Sequence, residues 1–456
     1  MDNKVILIGL GPYAFHTYYS FYKNKEIVIK YIIDLKSKKD YLEKMVDKSI
    51  ELFFVDDKYK DEPILDEKTK NFLDRLVNSK LISHAIIATE PKSHFAYASY
   101  FIKNGINVLI EKPVLVEKGM INNNVARKLF NQHVNELMAL YDLQKEKINA
   151  SVMCQRRYNN AYIFLKKYIA DIISRYNIGI TSMHISSNDG MWNMPNEIFL
   201  RENHPYKYGY GKLMHSGYHY IDLALLLLEE NKKLDNKEIK SVEIKSSCVQ
   251  AKDYFAQITN QDYQNIFSNE IDYSTYYQKD TTAFGEFDLY STIKFNDQNG
   301  NTLSVVTFDL LQNSLSRRAW TNLPQDTYRA NGRTKQNFID ICLGPLVNIK
   351  IFVEQAYNKN EQRVKYDLGD TNHFSIYITR NSSLIGGKPL EKYSISNFEK
   401  DNDKYDTNDY CRLKCLLSFL NNKKGQSDLK SHINTLKLIN LIYESLAKNI
   451  QRSFEL

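Results

Sequence analysis

The N-terminal third of the chain alternates short apolar runs with longer segments whose apolar residues recur at helical spacing. Short apolar runs without a polar face indicate strands that are buried on both sides of a sheet. Such strands, alternating with helices, predict a doubly wound parallel sheet with right-handed connections. The predicted strands cover residues 5–8, 27–33, 85–88, 108–110 and 148–153, and the predicted helices cover 12–24, 67–79 and 93–104.

The remainder of the chain has a different pattern, in which runs of β-type composition dominate after about residue 238. A polar stretch at 296–301 is a candidate hairpin turn. We therefore predict an α/β protein of two domains. Residues 1–154 form the parallel sheet, and residues 155–456 form an α/β domain with a large, mostly antiparallel open sheet. The predicted strands of the second domain cover 241–249, 282–295, 302–311 and 374–379, and closing helices lie within about 407–447.

Two stretches of the second domain, about 252–280 and 312–345, lack a regular pattern. They are candidates for lids, subunit contacts or both. A large sheet with one face uncovered by helices exposes apolar area, which commonly marks an interface. We therefore expect a homodimer or homotetramer formed through the second domain.

The first predicted strand leads into the sequence Gly-Leu-Gly-Pro-Tyr-Ala at positions 9–14, which fits the pattern Gly-x-Gly-x-x-Gly/Ala. Gly9 allows a tight turn, and Gly11 lets the backbone approach a pyrophosphate. Ala14 is small enough for close contact between helix and strand. Pro12, followed by Tyr13, occupies a position where the first turn of a helix tolerates proline. This order of elements predicts a dinucleotide-binding loop.

The second predicted strand ends in Asp34, about 20 residues beyond the glycines, where an acid binds the ribose of NAD. A carboxylate at this position repels the 2′-phosphate of NADP. We therefore predict NAD as the cofactor. NADP is the alternative, because Lys36 and Lys38 follow closely.

A later strand ends in Glu111-Lys112-Pro113, and proline stops the strand because it has no N–H to donate. Lys112 is thereby placed at the carboxyl edge of the sheet, where open α/β sheets bind ligands. A solvated lysine at a strand end is the other interpretation. His94 follows the predicted strand 85–88. It either lies near the cofactor or belongs to the first turn of a helix.

In the second domain, the glycine-rich segment 209–222 leads into an apolar helix and contains Lys212, His215, His219 and Asp222. The two histidines are four residues apart, so one helical face can carry both. Structural histidines and a zinc site are the alternatives. We predict no metal, because a third ligand and a metalloprotease glutamate are both missing from the pattern.

Residues 189–211, which precede this helix, are rich in hydrogen-bond donors and aromatic side chains and include Trp192. This composition suits a hydroxyl-rich substrate, although an exposed loop has the same composition. Trp192 and Lys212 are therefore candidate substrate-binding residues.

Composition narrows the class of protein. The net charge of +7 is spread along 456 residues without a long block of one sign, so a nucleic-acid groove is not indicated. No segment approaches the length of a membrane span, and the N-terminus lacks the pattern of a signal peptide. The five scattered cysteines favour a reducing compartment, and we expect a cytoplasmic location.

Taken together, these motifs resemble the Gfo/Idh/MocA family of NAD(P)-dependent oxidoreductases, which join a Rossmann domain to an α/β domain with a large open sheet. The resemblance rests on the glycine loop, Asp34, the Thr-x-Pro-x-x-His segment of Thr89, Pro91 and His94, and Glu111-Lys112-Pro113. It implies that the glycine loop, Asp34, Thr89, Pro91, His94, Glu111 and Lys112 bind the cofactor. It also implies that Lys112 is catalytic.

The resemblance continues into the second domain. The Gln-Arg-Arg-Tyr sequence at 155–158 is similar to a family signature, which implies that Arg156 or Arg157 holds a polar substrate or the cofactor. His219 and Asp222 match the family's histidine and the acid three residues on. His215 stands where the family usually has aspartate, so the partner of the acid–base residue is in question.

These features predict hydride transfer between nicotinamide and a secondary alcohol or ketone of a sugar, polyol or nucleotide sugar. His219 would act as the base and Lys112 would stabilise the developing alkoxide, with His215 as tuner or relay. The expected partner is a small, carbohydrate-like molecule. The alternatives are a non-catalytic, NAD-bound regulator and a redox-neutral glycoside cleavage that uses bound NAD.

Overall fold

A computed structural model describes residues 4–188, 190–268, 270–316, 318–319, 332–358, 362, 364–398, 405–421 and 425–448. Its strands are β1 (Val5–Ile8), β2 (Ile29–Leu35), β3 (Glu51–Val55), β4 (His84–Ile87), β5 (Asn107–Glu111), β6 (Ala150–Met153), β7 (Ser182–Asn188), β8 (Met191–Trp192), β9 (Ser241–Gln250), β10 (Glu286–Asn296), β11 (Thr302–Leu311), β12 (Arg318–Ala319), β13 (Gly332–Leu343), β14 (Val347–Asn358), β15 (Ser375–Arg380) and β16 (Leu390–Ser394).

Two of the helices contain a π-helical turn. Helix α1 joins Pro12–Ala14, the π turn Phe15–Tyr19 and Ser20–Lys23, and helix α8 joins the π turn Leu213–Gly217 to Tyr218–Leu228. The other helices are α2 (Lys39–Met45), α3 (Glu67–Asn78), α4 (His94–Lys103), α5 (Asn124–Gln144), α6 (Asn160–Tyr176), α7 (Pro195–Leu200), α9 (Ala251–Gln257), α10 (Asn260–Ile266), α11 (Ser274–Tyr277), α12 (Ser382–Ile385), α13 (Thr407–Leu420) and α14 (Ile433–Leu446).

The first sheet has the order β3-β2-β1-β4-β5-β6, and all of its strands are parallel. This is the strand order of a doubly wound, dinucleotide-binding fold, and it confirms the predicted fold class. Every residue of β1 and β4 is buried, as continuous apolar runs require when both faces of a sheet are covered.

The chain divides into two compact units, and the division differs from the predicted one. The first unit comprises Met1–Glu117, Lys128–Asn159 and Tyr405–Lys437, and the second comprises Lys118–Arg127, Asn160–Lys404 and Leu438–Leu456. Helix α13 was expected with the second domain but lies in the first unit, because its apolar side packs into the core beside the parallel sheet. That packing includes Cys415, Leu416 and Phe419.

The sheet of the second unit has the order β16-β15-β14-β13-β7-β11-β10-β9. Only the pair β7 and β11 is parallel among these strands, so the predicted mostly antiparallel sheet is confirmed. The long strands β13 and β14 were not predicted. Part of the stretch 312–345, which appeared irregular, is therefore a regular strand, and part of it lies outside the described residues.

The other stretch without a regular pattern, about 252–280, contains the short helices α9, α10 and α11. Aromatic packing holds these helices on the second unit, chiefly through Tyr254, Phe255, Tyr263 and Phe267. Among the helices described, none is both long enough and apolar enough to span a bilayer.

The start of α8 is fixed by the start of β10. Gly211 passes so close to β10 that a Cβ atom would lie 1.9 Å from the carbonyl oxygen of Glu286. The Glu286 side chain is fully buried and accepts hydrogen bonds from the Leu213 backbone N–H at 2.9 Å and the Tyr443 hydroxyl at 3.0 Å. A carboxylate at a helix N-terminus satisfies an otherwise unpaired N–H group and interacts favourably with the helix dipole.

Burial raises the pKa of Glu286 to about 7, although its hydrogen bonds oppose this shift. The folded state therefore binds more protons than the unfolded state between the ordinary value of 4.5 and about 7. It follows that the contribution of Glu286 to folding stability is fully present below the unfolded pKa and is lost as pH rises through the folded pKa.

We predict that Glu286→Gln reduces this loss of stability, because the glutamine side chain cannot ionise. The free energy of unfolding of the variant protein, minus that of wild type, should rise by roughly 1–3 kcal/mol between about pH 5 and pH 8. Urea unfolding at both pH values measures the difference. Glu243→Gln, an exposed glutamate on the neighbouring strand β9, is the matched control for removal of a charge. A Glu286→Gln difference that does not change with pH would contradict the prediction.

Candidate cofactor and active site

The turn after β1 has the shape that a dinucleotide requires. Gly9 has a φ of +88°, and a Cβ atom there would lie 2.9 Å from backbone atoms of Ala88 and Thr89. An added Cβ on Gly11, in contrast, meets no atom within 4 Å, so open space adjoins the backbone at this position. Helix α1 begins directly after the turn, with Pro12 in its first position. Backbone N–H groups at such a helix start can receive a pyrophosphate.

Asp34 lies near the end of β2 and is buried. Its Oδ2 accepts a hydrogen bond from the Leu10 backbone N–H at 2.8 Å, and its Oδ1 accepts from the Leu35 N–H at 2.7 Å and from the Lys38 ammonium at 2.9 Å. A carboxylate can accept about four hydrogen bonds, so Asp34 has capacity for a ribose hydroxyl. Gly9, Gly11 and Asp34 thus fit the bound NAD that the fold implies.

His94 is fully buried at the start of α4. Its Nε2 lies 3.0 Å from the Thr89 carbonyl oxygen, and its Nδ1 lies 3.0 Å from the Pro113 carbonyl oxygen. Burial lowers the pKa of His94 to about 4, so the ring is neutral at pH 7 and donates one of these hydrogen bonds. The ring therefore connects the end of β4 to the turn that carries Lys112, and Pro91 opens the short 3-10 turn before it.

Glu111 and Lys112 end β5 at the same edge of the sheet. The Glu111 carboxylate is buried, and its Oε1 accepts a hydrogen bond from the Tyr18 hydroxyl at 2.5 Å. Burial raises the pKa of Glu111, and the Tyr18 hydrogen bond and the Lys112 ammonium both oppose the rise. Lys112 is half-buried and is followed by a cis peptide bond to Pro113.

Arg412 is a candidate that the local sequence pattern did not indicate. It lies on α13, and its guanidinium stands 5.3 Å from the centre of the Tyr13 ring, while an ion pair joins it to Asp409. The same guanidinium opposes the rise that burial causes in the pKa of Glu111. A cation is thus present beside the glycine turn, although it comes from a helix nearly 400 residues further along the chain.

The two arginines at the end of β6 differ in what they contact. Arg157 is buried, and its guanidinium forms hydrogen bonds within the protein. Its Nη1 donates to the Gln426 carbonyl at 3.0 Å and to the Ser431 hydroxyl at 2.5 Å. Arg157 therefore anchors the segment that follows α13. Arg156 is only half-buried, which makes it the better candidate of the two for binding a ligand.

In the second unit, helix α8 carries the predicted residues His215, His219 and Asp222, and the predicted residue Lys212 is its N-cap. All are buried: Lys212 and Asp222 are 0% exposed and both histidines are 7% exposed. Charged side chains are almost never fully buried unless they are paired, so their presence on an apolar helix indicates a dedicated polar site. The π turn at the start of α8 is a further sign, because such turns occur frequently at functional sites.

Aromatic rings surround His215. The rings of His204, Tyr206 and Tyr210 lie 4.9, 5.2 and 5.9 Å from its ring. Tyr206 in turn stacks on Phe287 of β10 at 4.1 Å. His215 thus occupies the place of the expected aspartate within an aromatic environment, which no feature of residues 209–222 revealed.

Lys212 lies within electrostatic reach of a second acid on β10. Burial raises the pKa of Asp288, and the Lys212 ammonium opposes the rise. Trp192, the remaining candidate, forms the short parallel pair of β8 with β12 and is half-buried. Within the described residues, no group of three or more His, Cys, Asp or Glu side chains is arranged to hold a metal ion.

Comparison with known proteins agrees with this picture. Residues 4–132 match the model of the Gfo/Idh/MocA oxidoreductase family, described as having an NAD-binding Rossmann fold. No curated protein sequence matches the chain significantly.

Solved structures resemble the chain over nearly its whole length. An oxidoreductase from Agrobacterium radiobacter in complex with NAD+, L-tartaric acid and magnesium is 14% identical with a TM-score of 0.55, and the match covers 98% of this chain and 97% of that chain. A UDP-N-acetylglucosamine 3-dehydrogenase from Acidithiobacillus ferrooxidans is 12% identical with a TM-score of 0.54, over 97% and 96% of the two chains. An aldose-aldose oxidoreductase from Caulobacter crescentus complexed with glycerol is 10% identical with a TM-score of 0.54, over 98% of both chains.

At these identities the solved structures support the fold alone. Residues 4–132 match the Gfo/Idh/MocA oxidoreductase family, with its NAD-binding Rossmann fold.

Proposed function

We propose that the protein transfers a hydride between nicotinamide and a secondary alcohol or ketone of a sugar, polyol or nucleotide sugar. The observation that carries the proposal is the arrangement at the carboxyl edge of the parallel sheet. There, the glycine turn after β1, Asp34 near the end of β2 and Lys112 after β5 lie on one side of the domain. This edge is where open α/β sheets bind their ligands.

The proposed roles follow from the chemistry of the side chains. The nicotinamide, when bound, accepts or donates the hydride. His219 takes the hydroxyl proton during oxidation, since an imidazole has a pKa near neutral pH. Lys112 stabilises the oxygen as it becomes alkoxide-like, which favours the transition state over the ground state. His215 tunes His219 or relays its proton. Four further residues help to hold the substrate: Arg156, Lys212, Asp222 and Trp192.

The compounds named with the similar structures support this substrate class. Tartaric acid, glycerol and UDP-N-acetylglucosamine all carry hydroxyl-bearing carbons. An absorbance assay for NADH with a panel of polyols, sugars and nucleotide sugars tests the proposal. NAD binding without turnover of any panel member would favour a regulator, and sugar release without net NADH would favour redox-neutral cleavage.

Lys112→Ala and His219→Ala should each lower turnover by roughly 10²–10⁴-fold, because each removes a charge-stabilising or proton-transferring group. The affinity for NAD should change little. Losses in the double variant should fall well short of the product of the single losses, since groups that act as a unit are not additive.

The matched controls are Lys103→Ala and His184→Ala, which remove an exposed lysine of α4 and a half-buried histidine of β7. Both should retain turnover. His215→Asp should also retain appreciable activity if His215 only tunes its neighbour. Full turnover in Lys112→Ala would rule out the proposed chemistry.

The cofactor should be NAD in preference to NADP, because Asp34 repels a 2′-phosphate. Titration of both cofactors should give roughly tenfold or more tighter binding of NAD. Asp34→Asn should narrow this preference by removing the charge at nearly constant shape, and Lys38→Ala should weaken NADP binding further. Tighter binding of NADP by the wild-type protein would overturn the assignment.

Assembly through the open face of the second sheet is part of the proposal. An aromatic row crosses this face: Phe338 lies 5.0 Å from Phe352, and Phe352 lies 5.7 Å from Tyr377, between ring centres. Phe352 is 38% exposed, although it lies in a central strand of the sheet. Exposed apolar patches of this kind commonly mark interfaces.

Light scattering at micromolar concentration should show a dimer or tetramer. Phe352→Lys should shift the equilibrium toward monomer, because a charge would be placed inside an apolar contact. Leu143→Lys, which alters an exposed leucine of α5, is the control and should leave the assembly unchanged. A monomeric wild-type protein would contradict the prediction.

A further inference from the structure

The second unit contains a cavity of about 370 Å³, which lies in the lower part of the range for small-molecule pockets. One wall is aromatic and consists of Trp192, Tyr254 and Phe287, which come from β8, α9 and β10. Residues 312–316, which follow β11, also line the cavity. The cavity is thus built largely from the two stretches, about 252–280 and 312–345, that have no regular sequence pattern.

The polar atoms of the aromatic wall are hydrogen-bonded within the wall. The Trp192 indole N–H donates to the hydroxyls of Tyr254 at 3.0 Å and Tyr263 at 3.2 Å. The Tyr254 hydroxyl donates to the Asn193 carbonyl at 3.2 Å, and it also lies 2.6 Å from the Tyr263 hydroxyl. Tyr254 stacks on Phe287 at 5.3 Å and both rings are almost fully buried, so the half-buried Trp192 provides the ring surface that a ligand can contact.

Asp288 fixes the segment 312–313 at the cavity. Its Oδ1 accepts hydrogen bonds from the backbone N–H groups of Gln312 at 2.6 Å and Asn313 at 2.8 Å. These residues and their neighbours Ser314 and Ser316 add amide and hydroxyl groups to the lining. The lining therefore combines hydrogen-bonding groups with the ring surface of Trp192.

The lining of the cavity, as described, contains no Lys, Arg, His, Asp or Glu side chain. Proteins bind phosphate and carboxylate groups with cations, most often arginine or lysine. The described lining, which combines the Trp192 ring with amides and hydroxyls, therefore suits an uncharged ring better than a phosphate.

The cavity lies close to the helix that carries the histidines. Phe287 lines the cavity with one part of its surface and stacks on Tyr206, whose ring contacts His215. Asp288, which fixes the segment 312–313, interacts with Lys212, the N-cap of the same helix. Two stacked rings, those of Phe287 and Tyr206, therefore separate the cavity from His215, so a ligand in the cavity lies near the proposed substrate site.

We propose that this cavity is a second subsite, which receives an uncharged ring of the substrate remote from the carbon that is oxidised or reduced. The inference rests on the proposed function. Two sources have the required chemistry: the second sugar ring of a glycoside and the base of a nucleotide sugar. Both stack on aromatic faces and exchange hydrogen bonds with amides.

Trp192 provides a direct reporter of binding. The chain has only one other tryptophan, Trp320, so Trp320→Phe leaves Trp192 as the sole indole fluorophore. The full-length variant is titrated with methyl glucoside, cellobiose, uridine, UMP and inorganic phosphate. We expect a saturable change in emission with cellobiose or with uridine, no tighter binding of UMP than of uridine, and no response to phosphate. Isothermal titration calorimetry of the unmodified protein provides the same comparison without the substitution.

A paired substitution locates the binding. Ile266 lines the cavity from α10 and is 55% exposed, so Ile266→Arg can block the cavity without disturbing the core. In Ile266→Arg, the affinity for whichever of cellobiose and uridine binds the wild-type cavity should fall by at least about tenfold. Gln261→Arg, an exposed position on the same helix outside the lining, adds the same charge and should leave binding unchanged.

The outcomes separate the subsite from the proposed reaction, because fluorescence and calorimetry require no turnover. Saturable binding that Ile266→Arg weakens, in a protein that oxidises no panel member, supports the subsite and contradicts the reaction. The subsite is overturned if neither cellobiose nor uridine binds, if phosphate binds as well as they do, or if both arginine variants behave alike.

Discussion

The buried carboxylate of Glu286 joins three elements that are far apart in sequence. It begins β10, accepts a hydrogen bond from the first residue of the π turn of α8, and accepts another from Tyr443 of α14. A buried acid without these donors would be costly, because its charged form would lose hydration without compensation. The position of His215 and of Lys212 beside β10 depends on this contact, and Gly211 lets the backbone before α8 approach the strand closely.

The two residues that follow Glu286 extend the same arrangement. The pairing of β10 with β9 shifts register between Glu286 and Asp288, which is the signature of a β-bulge. A bulge redirects a side chain that regular alternation would place elsewhere. Glu286 therefore holds the helix, Phe287 faces the aromatic cavity and Asp288 holds the loop at 312–313. Three consecutive residues thus organise the helix, the wall and the loop of the candidate substrate site.

The first unit uses a similar combination of features. Tyr18 of the π turn in α1 donates a hydrogen bond to the buried Glu111, as the backbone of the π turn in α8 donates to Glu286. Burial raises the pKa of both acids. The starts of α1 and α8 are therefore each joined to a buried carboxylate at one terminus of a strand. Such a contact fixes the backbone at the point where a ligand must be met by a rigid surface.

Local features could be predicted from the sequence and contacts between distant segments could not, for a physical reason. The glycine turn, Asp34 and Glu111-Lys112-Pro113 are local features, because each residue acts through its own backbone or through the strand that it ends. Arg412, Glu286 and the cavity wall act through partners far away in sequence, such as Tyr254 62 residues from Trp192 and Tyr443 157 residues from Glu286, and no local pattern records such contacts. The aromatic helices α9 and α10 appeared irregular because their residues face one another in a cluster and do not form a simple amphipathic stripe.

This division has a consequence for how the proposed enzyme would select its substrate. The charges needed for the proposed chemistry lie on α8 and after β5, where buried acids and aromatic rings fix them. The described lining of the cavity beside α8 contains no Lys, Arg, His, Asp or Glu side chain, so we expect it to discriminate by shape, stacking and neutral hydrogen bonds. Under the proposed function, the Rossmann domain would hold the cofactor, and the segments 251–277 and 312–316 would select the molecule that is acted upon.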